Sequence, residues 1–210
     1  MKKALIIGIK GQDGSVLAKN LIQKNYKVSG VSSSKFNNRN LIKLKIRENL
    51  KMYYFDYCNK NKIQNLLKKE NFDEIYFFAG QRVPRISNNS SLDTLNANII
   101  PVFNILLTIY NFKLKSKFFN ASSYEFFKVN QKKVSKKMIK KPASVYDLSK
   151  LVSLELVKFF REKFNLKCYS GILFDHEPLL KNNNKLYKNL KIKTKNSFFN
   201  TIDKLIKNGF

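Results

Sequence analysis

The start of the chain places an apolar segment, a glycine-rich turn and an amphipathic helix directly after one another. Residues 4–7 are apolar, Gly8, Gly11 and Gly14 follow, and apolar side chains then recur at helical spacing over residues 16–22. Glycines allow a backbone to turn sharply and to approach an anion closely, while the N–H groups at the start of the following helix face that anion. This order of elements predicts a pyrophosphate-binding unit. A structural turn that binds nothing is the alternative, because a glycine pattern alone is weak evidence.

Apolar segments and segments of helical spacing alternate along the rest of the chain. The further predicted strands lie at residues 27–31, 52–55, 74–78, 117–121 and 167–173, and the further predicted helices at residues 63–69, 92–111 and 145–163. Several of these strands are apolar throughout, and such strands alternating with helices are typical of a parallel sheet covered on both faces. With right-handed crossovers, the prediction is an α/β fold, a doubly wound parallel-sheet Rossmann fold. We place this NAD(P)-binding domain at residues 1–178 and a basic tail at residues 179–210, with one further helix at 198–207.

The chain is strongly basic, with a formal net charge of +27. Such a charge fits nucleic acid or another polyanion. Lysines are nevertheless spread from Lys2 to Lys207, Asn, Ile, Phe and Tyr are abundant, and Trp is absent, so drift toward A/T-rich codons explains the charge more simply. Aromatic residues do not interleave with the lysine runs in a single-strand-binding pattern. We expect no nucleic-acid partner, and a basic nucleic-acid-binding protein stays as an alternative.

Nothing in the sequence predicts a metal centre, a disulfide framework or a membrane segment. Cys58 and Cys168 have neither metal-type nor redox-type spacing. Gly8 and Lys10 interrupt the apolar start too early for a signal peptide. Residues 99–109 include a proline and an asparagine and are short for a membrane span. We therefore expect a cytoplasmic protein with no metal and no membrane partner.

In a doubly wound sheet the ligand lies over the carboxyl ends of the strands. The predicted ends are Gly8, Ser32, Asp56, Ala79, Ser122 and Phe174. After the second strand, an acid would bind the ribose 2′-hydroxyl of NAD, whereas a cation would accept the 2′-phosphate of NADP. Ser32, Ser33 and Ser34 are followed there by Lys35, and no acid is present, so we favour NADP over NAD. The alternative is that the serines form a plain loop. Asp56, after the third strand, could contact the adenine or could be a solvated turn residue.

Tyr146 and Lys150 stand four residues apart at the start of a predicted helix, and therefore on one face of it. A cation beside a phenol lowers the cost of forming the phenolate, so this tyrosine could remove a proton from a hydroxyl group. The preceding strand ends in Ser122 and Ser123, and a serine there could hold the substrate oxygen against Tyr146. Glu125, two residues further on, could serve as a second base that takes a proton from carbon. His176, the only histidine, suits a cofactor contact or a structural role better than general-base catalysis.

With these motifs in place, the chain resembles the extended short-chain dehydrogenases/reductases of the NAD-dependent epimerase/dehydratase superfamily, and among them the GDP-mannose 4,6-dehydratases. The resemblance rests on the glycine loop with Gln12 and Asp13, on residues 73–81, on residues 120–125, on the Tyr146/Lys150 pair and on residues 171–177. It implies cofactor contacts at the strand ends and at the catalytic pair. These are Gly8, Gly11, Gln12, Asp13, Gly14, Ser32, Ser33, Ser34, Asp56, Tyr57, Phe78, Ala79, Gly80, Gln81, Tyr146, Lys150 and His176.

The resemblance also implies a lyase mechanism on a nucleotide sugar of the GDP-mannose type, with tightly bound NADP. Tyr146, aided by Lys150 and Ser123, would deprotonate the sugar 4-hydroxyl while hydride moves to the cofactor. Glu125 would take the C5 proton and assist the loss of water from C6, and the hydride would return to C6. The product would be a 4-keto-6-deoxy nucleotide sugar.

Some positions differ from the family pattern. Lys10 and Ser123 each stand where a threonine is usual, and the family's arginine after the second strand has no counterpart among Ser32–Ser34. Family members continue into a substrate-binding domain, so we expect that domain to be largely missing and residues 179–210 to be its remnant. Self-association within the family suggests a homo-oligomer. A related sugar epimerase or reductase, or an inactive dinucleotide-binding fragment, are the alternatives.

Overall fold

The computed structural model describes residues 1–80, 88–127 and 140–173 and contains a six-stranded, fully parallel sheet. The strands are β1 (Lys3–Ile7), β2 (Lys27–Ser32), β3 (Leu50–Tyr54), β4 (Glu74–Phe77), β5 (Lys117–Ser123) and β6 (Cys168–Leu173). Their order in the sheet is β3-β2-β1-β4-β5-β6. The chain thus proceeds outward from β1 to β3 on one side and from β4 to β6 on the other, and the predicted doubly wound Rossmann fold is confirmed.

Helices cover both faces of the sheet. They are α1 (Gln12–Gln23), α2 (Arg39–Lys43), α3 (Lys60–Glu70), α4 (Asn88–Asn111) and α5 (Val145–Phe164). Side chains alternate between the two faces of a strand. Leu5 and Ile7 of β1 accordingly pack with α3, α4 and α5, whereas Ala4 and Ile6 pack with α1 and α2. Two apolar cores result, and this is why the strands are apolar at successive positions.

The structure differs from the sequence prediction mainly at short or polar helical segments. The helix α2 and a single 3₁₀ turn at Arg47–Asn49 were not predicted, because each is too short to show an apolar period. Strand β5 extends to Ser123, two residues beyond the predicted end, which brings both serines into the strand. The predicted basic tail and its helix at 198–207 lie outside the described residues.

Helix α4 is also longer than predicted. By length and composition alone its segment 91–111 could cross a membrane, although the sequence analysis judged residues 99–109 too short. More than half of that segment is buried, and α4 packs against α3 and α5. In this fold it serves as a core helix beneath the sheet.

Candidate active site

The glycine loop between β1 and α1 is held in a conformation that only glycine fits. Gly8 has a φ of +92°, and a Cβ added there would lie 2.5 Å from the backbone nitrogen of Ala79. A Cβ on Gly14 would lie 2.4 Å from the carbonyl oxygen of Gly8. The N–H of Gly11 donates to that same carbonyl at 3.0 Å and closes the turn. The loop therefore brings the start of α1 directly against the end of β1.

The start of α1 has the features of an anion site. Gly11 caps the helix without a side chain, and within the described chain no side-chain hydrogen bond caps it. The hydroxyl of Ser15 donates to the carbonyl of Gln12 at 2.8 Å, inside the first turn. Backbone N–H groups at a helix start attract anions through their own charge and the helix dipole. A turn that only glycines can form, in front of a helix without a side-chain cap, provides the cradle that fits the pyrophosphate of a dinucleotide.

The three predicted serines lie at the end of β2 and in the loop after it. Ser33 and Ser34 are exposed, and the Ser32 hydroxyl donates to the carbonyl of Ser34 at 3.0 Å. The ammonium of Lys10, from the glycine loop, donates to the carbonyls of Ser34 and Phe36. The loop after β2 is thus folded around a lysine side chain.

Asp56 and Tyr57 follow β3 at the same edge of the sheet. Asp56 is exposed, and its Oδ1 accepts the backbone N–H of Cys58 at 2.9 Å. Tyr57 packs edge-on against Phe77 with ring centroids 6.1 Å apart, and burial raises the pKa of its phenol to about 12. Asp56 therefore stabilises the turn after β3, as a turn residue would. Its carboxylate is also exposed at this edge of the sheet.

Phe78, Ala79 and Gly80 connect the end of β4 to the catalytic region. Phe78 is half-buried and packs on Phe119, with ring centroids 5.8 Å apart. A Cβ on Gly80 would lie 2.3 Å from Oδ1 of Asn98 and 3.2 Å from Nζ of Lys150. A side chain at this position would therefore push against Lys150.

Helix α5 begins at a well-defined cap that positions Tyr146 and Lys150. The Ser144 hydroxyl accepts the N–H of Asp147 at 3.0 Å, and the Asp147 carboxylate accepts the N–H of Ala143 at 3.1 Å. This pairing resembles a capping box, except that the acid accepts the N–H of the residue before the N-cap instead of that of the N-cap itself. It fixes the first turn of α5, in which Tyr146 lies.

Lys150 is the most constrained residue of the pair. Its side chain is buried, its ammonium donates to the carbonyl of Ala121 at 3.1 Å, and Nζ lies 5.8 Å from the centroid of the Tyr146 ring. Burial lowers the pKa of Lys150 from 10.5 to about 8. The predicted pairing of a phenol with a nearby cation is therefore present in the structure.

Ser123 and Glu125 contact each other at the end of β5. The Ser123 hydroxyl lies 3.4 Å from Oε2 of Glu125 and also accepts the backbone N–H of Glu125 at 3.2 Å. The Ser122 hydroxyl instead donates to the backbone carbonyl of Lys150 at 3.2 Å and ties β5 to α5. Of the two serines, Ser123 is thus the one that faces the acid.

All four predicted catalytic residues line one cleft of about 160 Å³. Its lining residues are Asp13, Phe78, Ala121, Ser122, Ser123, Tyr124, Glu125, Tyr146, Lys150 and Leu173. Asp13 lies in the first turn of α1, directly after the glycine loop, so the cleft extends from that loop to the predicted catalytic pair. The serines after β2 and Asp56 are not among the residues that line it. Gln81 and His176 lie outside the described residues. No group of three His, Cys, Asp or Glu side chains that could hold a metal occurs in the described ranges.

Asn98 supports the site from α4 and was not predicted from the sequence. It is buried in α4, where its Nδ2 donates to the Ser149 hydroxyl at 2.9 Å and its Oδ1 lies against Gly80. Ser149 in turn donates to the carbonyl of Tyr146 at 2.7 Å. Asn98 therefore supports the first turn of α5 from behind. The signal in the sequence is a polar side chain within the apolar period of a core helix.

The family model and the curated relatives that match this chain all belong to one family. The family model described as GDP-mannose 4,6 dehydratase matches residues 5–197. The GDP-mannose 4,6-dehydratase of Vibrio cholerae serotype O1 is 33% identical over 186 residues, which are 84% of this chain and 50% of that protein. The enzyme of the same name from Homo sapiens is 32% identical over 185 residues, 83% of this chain and 50% of the relative. The chain spans about half the length of the curated relatives it matches.

Solved structures share the fold at lower identity. The UDP-glucuronic acid 4-epimerase from Bacillus cereus, in complex with NAD, superposes with a TM-score of 0.70 at 22% identity, over 82% of this chain and 56% of that one. The dTDP-glucose 4,6-dehydratase from Bacillus anthracis, also in complex with NAD, superposes with a TM-score of 0.68 at 16% identity, over 81% and 54%. These likenesses establish the fold.

Proposed function

The chain belongs to the GDP-mannose 4,6-dehydratase family, and from this membership and the geometry of its cleft we propose that it acts in the dehydration of a GDP-mannose-type nucleotide sugar with NADP. The observation that carries the proposal is the meeting of Ser123, Glu125, Tyr146 and Lys150 in one cleft. A purely binding fold has no need of a phenol beside a buried ammonium and of a hydroxyl beside a carboxylate at one place.

Three of these residues would act on the sugar 4-hydroxyl. Ser123 would hold the oxygen by a hydrogen bond, and Tyr146 would take its proton. The ammonium of Lys150, with Nζ 5.8 Å from the ring centroid, favours the phenolate that forms. Bound NADP would supply the hydride acceptor for C4 and the hydride donor for C6.

Glu125 would act on carbon. Its carboxylate lies beside the Ser123 hydroxyl, so a sugar held by Ser123 would present C4 and the neighbouring C5 to it. Glu125 would accept the C5 proton and pass a proton to the departing C6 hydroxyl, which leaves as water. A 4-epimerase or a 4-ketoreductase requires no such base at C5, so Glu125 favours dehydration over these alternatives.

The residues that would hold the dinucleotide are those of the cradle and of the strand ends. Gly8, Gly11 and Gly14 with the start of α1 would bind the pyrophosphate, and Asp56 and Tyr57 would border the adenine. NAD is named for the structural neighbours, but the absence of an acid among residues 32–36 supports NADP for this chain.

Incubation of the purified chain with NADP and GDP-mannose tests the activity. We expect a 4-keto-6-deoxy nucleotide sugar, detected by mass spectrometry as loss of one water. E125Q would stop dehydration but still permit reversible hydride transfer between C4 of the sugar and the cofactor. Y146F would stop both steps. If the chain binds NADP in calorimetry and forms no product, the dehydratase proposal is wrong and a cofactor-binding unit is left. Formation of a C4 epimer instead would favour the epimerase alternative.

We also propose that the chain forms a homodimer through the outer surface of α4 and α5. Five large apolar side chains on these helices are 39% to 52% exposed: Ile100, Phe103, Tyr110, Leu148 and Phe159. Phe103 of α4 and Phe159 of α5 both pack edge-on against the buried ring of Phe160, with centroids 6.1 Å and 5.9 Å away, so exposed aromatic rings of both helices meet at one buried ring. Apolar surfaces of this kind are typical of protein interfaces.

A further inference from the structure

Three cations meet around the ring of Tyr54, at the carboxyl ends of β2 and β3. The ammonium of Lys10 lies 5.4 Å from the ring centroid and that of Lys35 lies 6.0 Å from it. A guanidinium nitrogen of Arg47 lies 3.3 Å from the Tyr54 hydroxyl. We call Lys10, Lys35 and Arg47 the Tyr54 cation cluster.

Of the three cations, Lys10 belongs to the glycine loop, and its side chain extends to the loop after β2. Its ammonium donates to the carbonyl of Phe36 at 2.7 Å and to that of Ser34, while its own carbonyl accepts Nδ2 of Asn40 at 2.8 Å. An ammonium has three N–H groups. Two of them are thus directed to the loop after β2, and across the residues that the structure describes the third has no acceptor. The lysine is held in place, with one donor left for a ligand.

The arrangement places like charges together. Partial burial and the charge of Arg47 both lower the pKa of Lys10. Within the described ranges no carboxylate forms an ion pair with Lys10 or Arg47. Lys10 and Arg47 repel each other without an acid to offset their charge, which raises the free energy of the chain, and an anion between them would reverse this.

The position within the sheet identifies the anion. In a doubly wound fold the adenosine ribose lies over the end of the second strand, and a cation there accepts a 2′-phosphate. The serines at that strand end carry no charge. The Lys10 side chain extends from the glycine loop to the end of β2 and brings its ammonium to this position. We propose that Lys10 and Arg47 form the binding site for the 2′-phosphate of the cofactor and so determine the preference for NADP. This inference rests on the proposed function, because it concerns the same dinucleotide.

Half-cofactors test the site without catalysis. Calorimetry would compare 2′,5′-ADP, 3′,5′-ADP and 5′-AMP on the intact chain. The first two carry the same charge, so only a site built for the 2′ position separates them. We expect 2′,5′-ADP to bind more tightly than both others, by about tenfold or more, since a charge-assisted hydrogen bond contributes about 1.5–3 kcal/mol.

Variants assign the effect to residues. K10M should weaken 2′,5′-ADP about tenfold to a hundredfold and change 5′-AMP by less than about twofold. R47Q should act in the same direction if K10M does not fold. K158M, which removes an exposed charge from α5, is the matched control and should change neither ligand.

Four outcomes would overturn the inference. Equal binding of 2′,5′-ADP and 3′,5′-ADP would indicate general attraction to a basic chain. Equal weakening of 2′,5′-ADP and 5′-AMP by K10M would indicate that Lys10 only holds the loop. Equal binding of 2′,5′-ADP and 5′-AMP would remove the subsite but leave the proposed dinucleotide site. Binding of none of the three would contradict the proposed function as well.

Discussion

At the scale of single residues, the burial of Lys150 links function to stability. An ammonium without water costs free energy, and the chain bears this cost in order to keep a cation beside Tyr146. The pKa is about 8 in the folded chain and 10.5 as the ordinary value. Between these pH values the unfolded chain binds more protons than the folded one. The contribution of Lys150 to the free energy of unfolding therefore rises with pH across that window and is least favourable below it.

Replacement of Lys150 by methionine tests this cost. K150M removes the cost of burying the ammonium, which should raise the free energy of unfolding at pH 7 by at most about 3 kcal/mol. Loss of the donor to the Ala121 carbonyl should offset this gain by about 1 kcal/mol. The gain over the parent chain should shrink as pH rises from about 8 to 10.5. Urea unfolding of both chains across this range measures the difference. Groups such as Tyr57 and Cys168, whose pKa burial raises, titrate in both chains and cancel. A difference that does not change with pH would contradict the account.

At the scale of elements, the first turn of α5 positions the phenol of Tyr146, the proposed base. Ser144 caps it through the N–H of Asp147, and Asn98 supports it through Ser149. A cap of this kind contributes about 1 kcal/mol. Loss of the cap frays the turn in which Tyr146 lies, so we expect an effect on activity in addition to one on stability.

The helix α3 offers a matched control for this effect. Its cap is Asn59, whose side chain accepts the N–H of Lys62 at 3.1 Å. S144A and N59A should each lower the free energy of unfolding by about 1 kcal/mol. S144A should also lower kcat for the 4-keto-6-deoxy product by about tenfold, whereas N59A should leave kcat unchanged. Equal kcat values in the two variants would show that the cap of α5 has no role in placing Tyr146.

At the scale of the whole molecule, the sheet follows from the sequence because burial on both faces gives its strands apolar residues at successive positions. Residues 4–7 and 75–77 show this pattern, and both lie in strands of the structure. The pairing of Tyr146 with Lys150 was predictable as well, since four residues along a helix place two side chains on one face. Its meeting with Ser123 follows from the position of strand ends in a parallel sheet.

The contacts that could not be predicted join distant parts of the chain. Asn98 bonds Ser149 across 51 positions, and Lys10 bonds Phe36 across 26. A local pattern does not report such contacts, because each depends on how two elements pack. The five-residue helix α2 was missed for a related reason, since only Leu41 of it is buried and no period develops.

The apolar surface of α4 and α5 is also a property of the whole molecule, and its proposed role as a dimer interface can be tested directly. F159E would place a carboxylate in the centre of an interface that repeats by two-fold symmetry, so each dimer would gain two buried charges. We expect the parent chain to sediment as a dimer and F159E as a monomer. The unfolding temperature should depend on protein concentration for the parent chain but not for F159E. I42E is the control, because Ile42 is 64% exposed on α2 and lies away from this surface. It should stay a dimer. A parent chain that sediments as a monomer, or a dimer that survives F159E, would mean that the exposed aromatic residues of α4 and α5 do not form the contact.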